Sequence, residues 1–194
     1  MPTSQLINGL LTGIRDLCVD ARAVDGTIPA VPVSIWLNRV TQVEIQYQVE
    51  AGDRVVHAAD GVGVIEVIDE DDTLTGIDVK IPVVMLDMNA LHTMVGGVIT
   101  SDSNITTGLA LPTISQQRAA PKKFQLTVWV AIHDFQTGAV SGYLRHTFSY
   151  CRAVIESIPH AVDGISRPVL VIKVRPNPST GAIHSMDFVA NPPR

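Results

Sequence analysis

Six histidines are the residues of this chain best suited to hold a metal or move a proton: His57, His92, His133, His146, His160 and His184. They are scattered, with no HxH, HxxH or HExxH spacing that would aim two imidazoles at one ion. His133 followed by Asp134 at a strand end could ligate a metal, and His146, alternating with Phe148 and Tyr150, reads as an ordinary strand residue. Asp69-Glu70-Asp71-Asp72 has the composition of a cation site. It lacks the one-residue spacing and the glycine of a calcium loop, so it reads as a solvated turn. Met88 and Met94 could be a soft metal pair, but their spacing fits one apolar helix stripe. Gly61-Val62-Gly63-Val64 opens like a dinucleotide fingerprint, yet the third glycine is missing and no long helix follows. There is no GxSxG, no GKS/T and no pair of catalytic carboxylates. The expectation is a protein with no catalytic residue, no metal and no cofactor.

The two cysteines, Cys18 and Cys151, are far apart and form no CxxC pair, so they are expected to be reduced, packed thiols. Lys122-Lys123 is the only basic pair and aromatics are 5% of the chain, too few for a nucleic-acid stacking platform. The apolar runs, such as residues 83–86, are too short to cross a bilayer. The first residues show neither a basic n-region nor a cleavage site, so no signal peptide is expected. On the same ground, the sequon Asn104-Ile105-Thr106 reads as a chance match.

The elements that would position any site are mostly strands. Residues 42–50 alternate without a fault: Val43, Ile45, Tyr47 and Val49 on one face, Gln42, Glu44, Gln46, Gln48 and Glu50 on the other. Further strands are predicted over residues 33–37, 62–68, 77–85, 124–132, 143–152, 168–174 and 183–189, with turns at 134–138 and 177–181. Residues 87–95 read as a two-turn helix, capped by Asp87, stapled by Leu86 to Leu91 and stopped by Gly96-Gly97. The spacing of Leu6, Ile7, Leu10, Leu11, Ile14 and Leu17 predicts an amphipathic helix over 4–19, weakened by Gly9 and Gly13. An arm over 22–32 completes a unit of residues 1–32, ahead of a β domain over 33–194. Within that domain, residues 101–123 are polar and unpatterned, the signature of a loop that is functional or ordered on assembly.

Charge is distributed unevenly in a chain with net charge −5. Residues 44–87 hold eleven acids against Arg54 and Lys80, a net of −9. From Arg118 onward nine bases face four acids, a net of +5. These segments either meet between copies of the chain or neighbour each other within one. Charged residues are only 17% of the total, against about 25% in an average soluble domain, and mean hydropathy is +0.25. A surface so poor in charge suits a protein covered by neighbours.

The order of elements, and above all the strand-to-short-helix unit IDVKIPVVMLDMNALHTMVGG over residues 77–97, resembles the major tail tube proteins of long-tailed bacteriophages. The tubes of contractile injection systems are a more distant likeness. The resemblance covers roughly residues 33–189. It implies a mainly β, sandwich or barrel-like fold with one flanking helix, building six-membered rings that stack into a hollow virion tail tube. It also implies self-assembly in the host cytoplasm, contact with tape measure and terminator proteins, and passage of DNA without specific binding or any membrane. Under it, Gln42, Glu44, Gln46, Gln48 and Glu50 would face the lumen, where carboxylates repel phosphates; the other reading has them face bulk solvent. Asp69, Glu70, Asp71 and Asp72 would meet Lys122 and Lys123 of the next ring. A virion binding module for a receptor or carbohydrate, and a β-barrel enzyme with a polar cluster around His133, Asp134 and His146, are the alternatives.

Overall fold

The computed structural model describes residues 9–30, 33–37, 40, 42–50, 54–59, 63–69, 73–82, 87–103, 105–113, 115–116, 122–134, 136–157 and 169–191. Within them the chain is mainly β. Its strands are β1 (Gly9–Arg22), β2 (Ser34–Leu37), β3 (Glu44–Glu50), β4 (Arg54–Ala59), β5 (Gly63–Asp69), β6 (Thr73–Pro82), β7 (Val98–Asp102), β8 (Ile105–Ala110), β9 (Lys123–Asp134), β10 (Val140–Ser157), β11 (Val169–Val174) and β12 (His184–Val189). The helix, α1, spans Met88–Val95.

Eight strands form one antiparallel sheet in the order β2-β1-β9-β10-β11-β6-β3, with β12 also paired to β10. Two hairpins, β4-β5 and β7-β8, stand apart from it. The 18-residue β10 changes neighbour along its length: Tyr143 to Phe148 pair with β12, and Cys151 to Ser157 with β11. An irregularity in its pairing with β9 between Phe148 and Cys151 marks the changeover.

Alternation puts one apolar set on one face. Leu17 and Val19 of β1, Phe124 and Leu126 of β9, Phe148 of β10, Leu170 and Ile172 of β11, and Ile77, Val79 and Ile81 of β6 are all buried in one core. Helix α1 covers part of it with Ala90, Leu91 and Met94, so both methionines serve packing, Met88 at its margin. The Asp87 carboxylate accepts from the N–H of Asn89 (2.8 Å) and Ala90 (3.2 Å), as a cap should. Gly96 and Gly97 both lie at positive φ, and a Cβ at Gly97 would collide with the carbonyl oxygen of Ala110. Leu86 lies outside the described residues.

One element is corrected. Residues 9–19 of the expected N-terminal helix form strand β1, inside the main sheet between β2 and β9; residues 4–8 lie outside the described set. The cause is visible in the pairing of β1 with β9, which slips between Thr12 and Ile14 and again between Ile14 and Asp16. Each extra residue inverts the alternation beyond it. Ile14 and Leu17, three apart, therefore both reach the core, and a bulged strand imitates a helical period. Gly13, the residue that weakened the helix, sits at the first slip. A second correction concerns 101–123, where β7 and β8 form a hairpin turning at Ser103, whose φ is 49°.

Candidate functional site

Strand β3 ends the sheet, bonded to β6 on one side and to no other strand among the described residues. Its two faces separate as the alternation predicts, but the apolar one outruns the core. Val43 and Ile45 pack against the core, whereas Tyr47 is 50% and Val49 56% exposed. On the polar face Gln42, Glu44, Gln46 and Glu50 are exposed and Gln48 half-buried. Gln46 donates to Glu44 at 2.6 Å, and Gln48 to Asp78 at 2.7 Å.

Register extends that face across three more strands. Glu44 lies opposite Lys80 and Gln46 opposite Asp78. Lys80 and Asp78 in turn face Val171 and Lys173, which face Val154 and Arg152 of β10. Lys80 also reaches Glu156 at 3.8 Å. The acids of β3 are thus interleaved with Lys80, Lys173 and Arg152, so the wall is charge-mixed where the strand by itself reads as acidic. The sequence missed these bases because they come from segments up to about 130 residues away.

The expected acidic-to-basic contact is described in part. Asp69 ends β5, opposite Arg54, while Glu70, Asp71 and Asp72 fall outside the described residues. Lys122 is exposed and lies over Gly96. Lys123 points elsewhere: its ammonium sits 4.3 Å from the ring centre of Tyr150. Burial, and then the charge of Arg152, lower its pKa. The two lysines, adjacent in sequence, do not share a surface.

Three histidines, His133, His146 and His184, sit in structural contacts; His92 on α1 has its Nδ1 buried with no partner among the described residues, and the side chains of His57 and His160 lie outside the described set. His133 donates through Nδ1 to the Gly138 carbonyl at 2.8 Å. Asp134 accepts from the Thr137 N–H (2.7 Å), the Thr137 hydroxyl (2.9 Å) and the Gln136 N–H (3.0 Å), which hold its pKa down and close the turn. His146 and His184 share a hydrogen bond of 3.2 Å between Nδ1 and Nε2. The His184 ring stacks on Phe148 at 4.6 Å, within 7° of parallel. Burial lowers the pKa of both imidazoles, and each would repel a charged partner. No group of three His, Cys, Asp or Glu side chains converges as a metal site among the described residues. Cys18 and Cys151 are both buried, and burial pushes the Cys151 thiol up to about 12.

No protein-family model matches the chain, and no curated protein matches it. Among solved structures, a chain from the 6-fold symmetrised cryo-EM structure of the anti-feeding prophage (AFP) baseplate is similar over 90% of this chain and 92% of that one. The identity is 10% and the TM-score 0.37. A superposition that loose carries no argument about function.

Proposed function

We propose that this chain is a structural, non-enzymatic subunit of a phage-type tail, assembling through its β3 edge into rings that stack as a tube. The observation that carries the reading is β3 itself. It is a seven-residue edge strand, and its apolar face continues past the core into exposed Tyr47 and Val49. An edge of that kind invites pairing with another chain unless it is blunted. Leu74, 37% exposed and directly opposite Val49 on β6, widens the apolar strip. The low charge content and the resemblance of residues 77–97 to tail tube subunits point the same way. In a tube, the wall over β3, β6 and β11 would line the channel. Its interleaved acids and bases would leave DNA little to grip, because no run of cations lies along it.

Electron microscopy of the concentrated protein tests the proposal, with rings or tubes expected. Val49→Lys places a charge on the exposed strip without touching the core. It should leave the circular dichroism spectrum unchanged and abolish assembly. Featureless particles from the wild-type chain at high concentration would refute the tube.

A further inference from the structure

On the side of the sheet away from the core, a cleft of about 590 Å³ crosses five strands, β2, β1, β9, β10 and β12. Pairing register builds it in rows. Trp36, Cys18, Thr127, Thr147 and Ser185 lie opposite one another in turn. Ser34, Asp20 and Gln125 form a second row on one flank, and Trp129, Arg145 and Asp187 a third on the other. At ~4.8 Å between strands the cleft is about 19 Å across. Its lining comes from strands, so hydrogen-bonded ladders fix the spacing of every group.

We propose that this cleft binds a short neutral oligosaccharide. The volume falls within the ~300–1,000 Å³ typical of small-ligand sites. Trp36, half-buried and backed by the buried Trp129 ring at 5.3 Å, gives the lining an apolar patch suited to the C–H face of a sugar ring. Around them stand groups that match vicinal hydroxyls, which both donate and accept: the carboxylates of Asp20 and Asp187, the amide of Gln125, the Arg145 guanidinium, and the Thr147 and Ser185 hydroxyls. Arg145 binds Asp187 at 3.0 Å, yet its Nε is buried with no partner among the described residues. Asp20 and Asp187 line the cleft with Arg145, and Arg22 holds Gln125 from its rim at 2.5 Å, a balance with no net positive field to hold phosphate, nucleic acid or acidic sugars. The site stands whether or not the chain forms tubes.

The test is a glycan array probed with the full chain, followed by calorimetric titration of the strongest neutral binder. Saturable binding of at least one neutral glycan is expected. Ser185→Phe, which fills the cleft from an exposed position, should weaken it at least tenfold, and Asp187→Asn should weaken it several-fold. Both variants should keep the wild-type circular dichroism spectrum. Binding of sulfated or sialylated glycans only, no binding above background, or equal affinity in Ser185→Phe would each overturn the proposal.

Discussion

The side of the sheet away from the core carries two surfaces built on the same pleat and unlike in chemistry. Over β3, β6 and β11 the residues pointing outward are Glu, Gln, Asp and Lys with Val171 among them, exposed or half-buried. Over β1 and β9 the equivalent positions hold Cys18, Thr127 and Trp129, each less than 9% exposed, and next to them on β10 Arg145 and Thr147 are half-buried. The contrast shows that facing away from the core does not mean facing solvent. At the second surface Trp36 of β2 stacks on Trp129 and Asp187 of β12 binds Arg145.

Substitutions should expose the difference. Trp129→Ala removes a buried indole from its stack on Trp36, and about 3–5 kcal/mol of unfolding free energy should be lost in urea titration. A loss below ~1 kcal/mol would make the two surfaces energetically alike. Acid probes the β12 wall of the second surface. His146 and His184 have folded pKa values below the ordinary 6.5, so the unfolded chain binds more protons and stability rises with pH through that window. The contribution should be complete above about pH 6.5 and fall progressively as pH drops below it. His146→Phe should flatten that part of the stability–pH curve, and an unchanged slope would show that the stack does not anchor β12. Glu44→Lys on the open surface sets a like charge opposite Lys80 and should cost only about 0.2–1 kcal/mol. Lys80→Gln, which loses an exposed 3.8 Å ion pair, should fall at or below the bottom of that range.

What the sequence made legible follows from how local each signal is. Strand β3 and helix α1 were readable because alternation, cap and glycine stop all lie within ten residues of one another. Strand β1 was not, since the bulges that turn its period from two toward three are set by pairing with β9, more than a hundred residues on. The β7-β8 hairpin hid behind Thr and Ser residues exposed to water, which leave no periodic trace. Strand β4 was passed over because six residues with two alanines offer little pattern. Of the candidate wall, the β3 face was legible and its basic neighbours were not. The cleft had one faint sign in Trp129: a large aromatic on the outward alternation of a strand whose other face was already filled by Leu126, Val128 and Val130.

The changeover along β10 has a mechanical consequence. Because β11 and β12 occupy successive stretches of the same edge, tension applied beyond Val189 would load β12 without loading β11. The strand would peel rung by rung from Tyr143–Val189 toward Phe148–His184, each rung yielding at low force as a zipper does. The stacked rings of Phe148, His184 and His146 stand at the far end as a brake. Unzipping would halt there, with the remaining seven strands still joined.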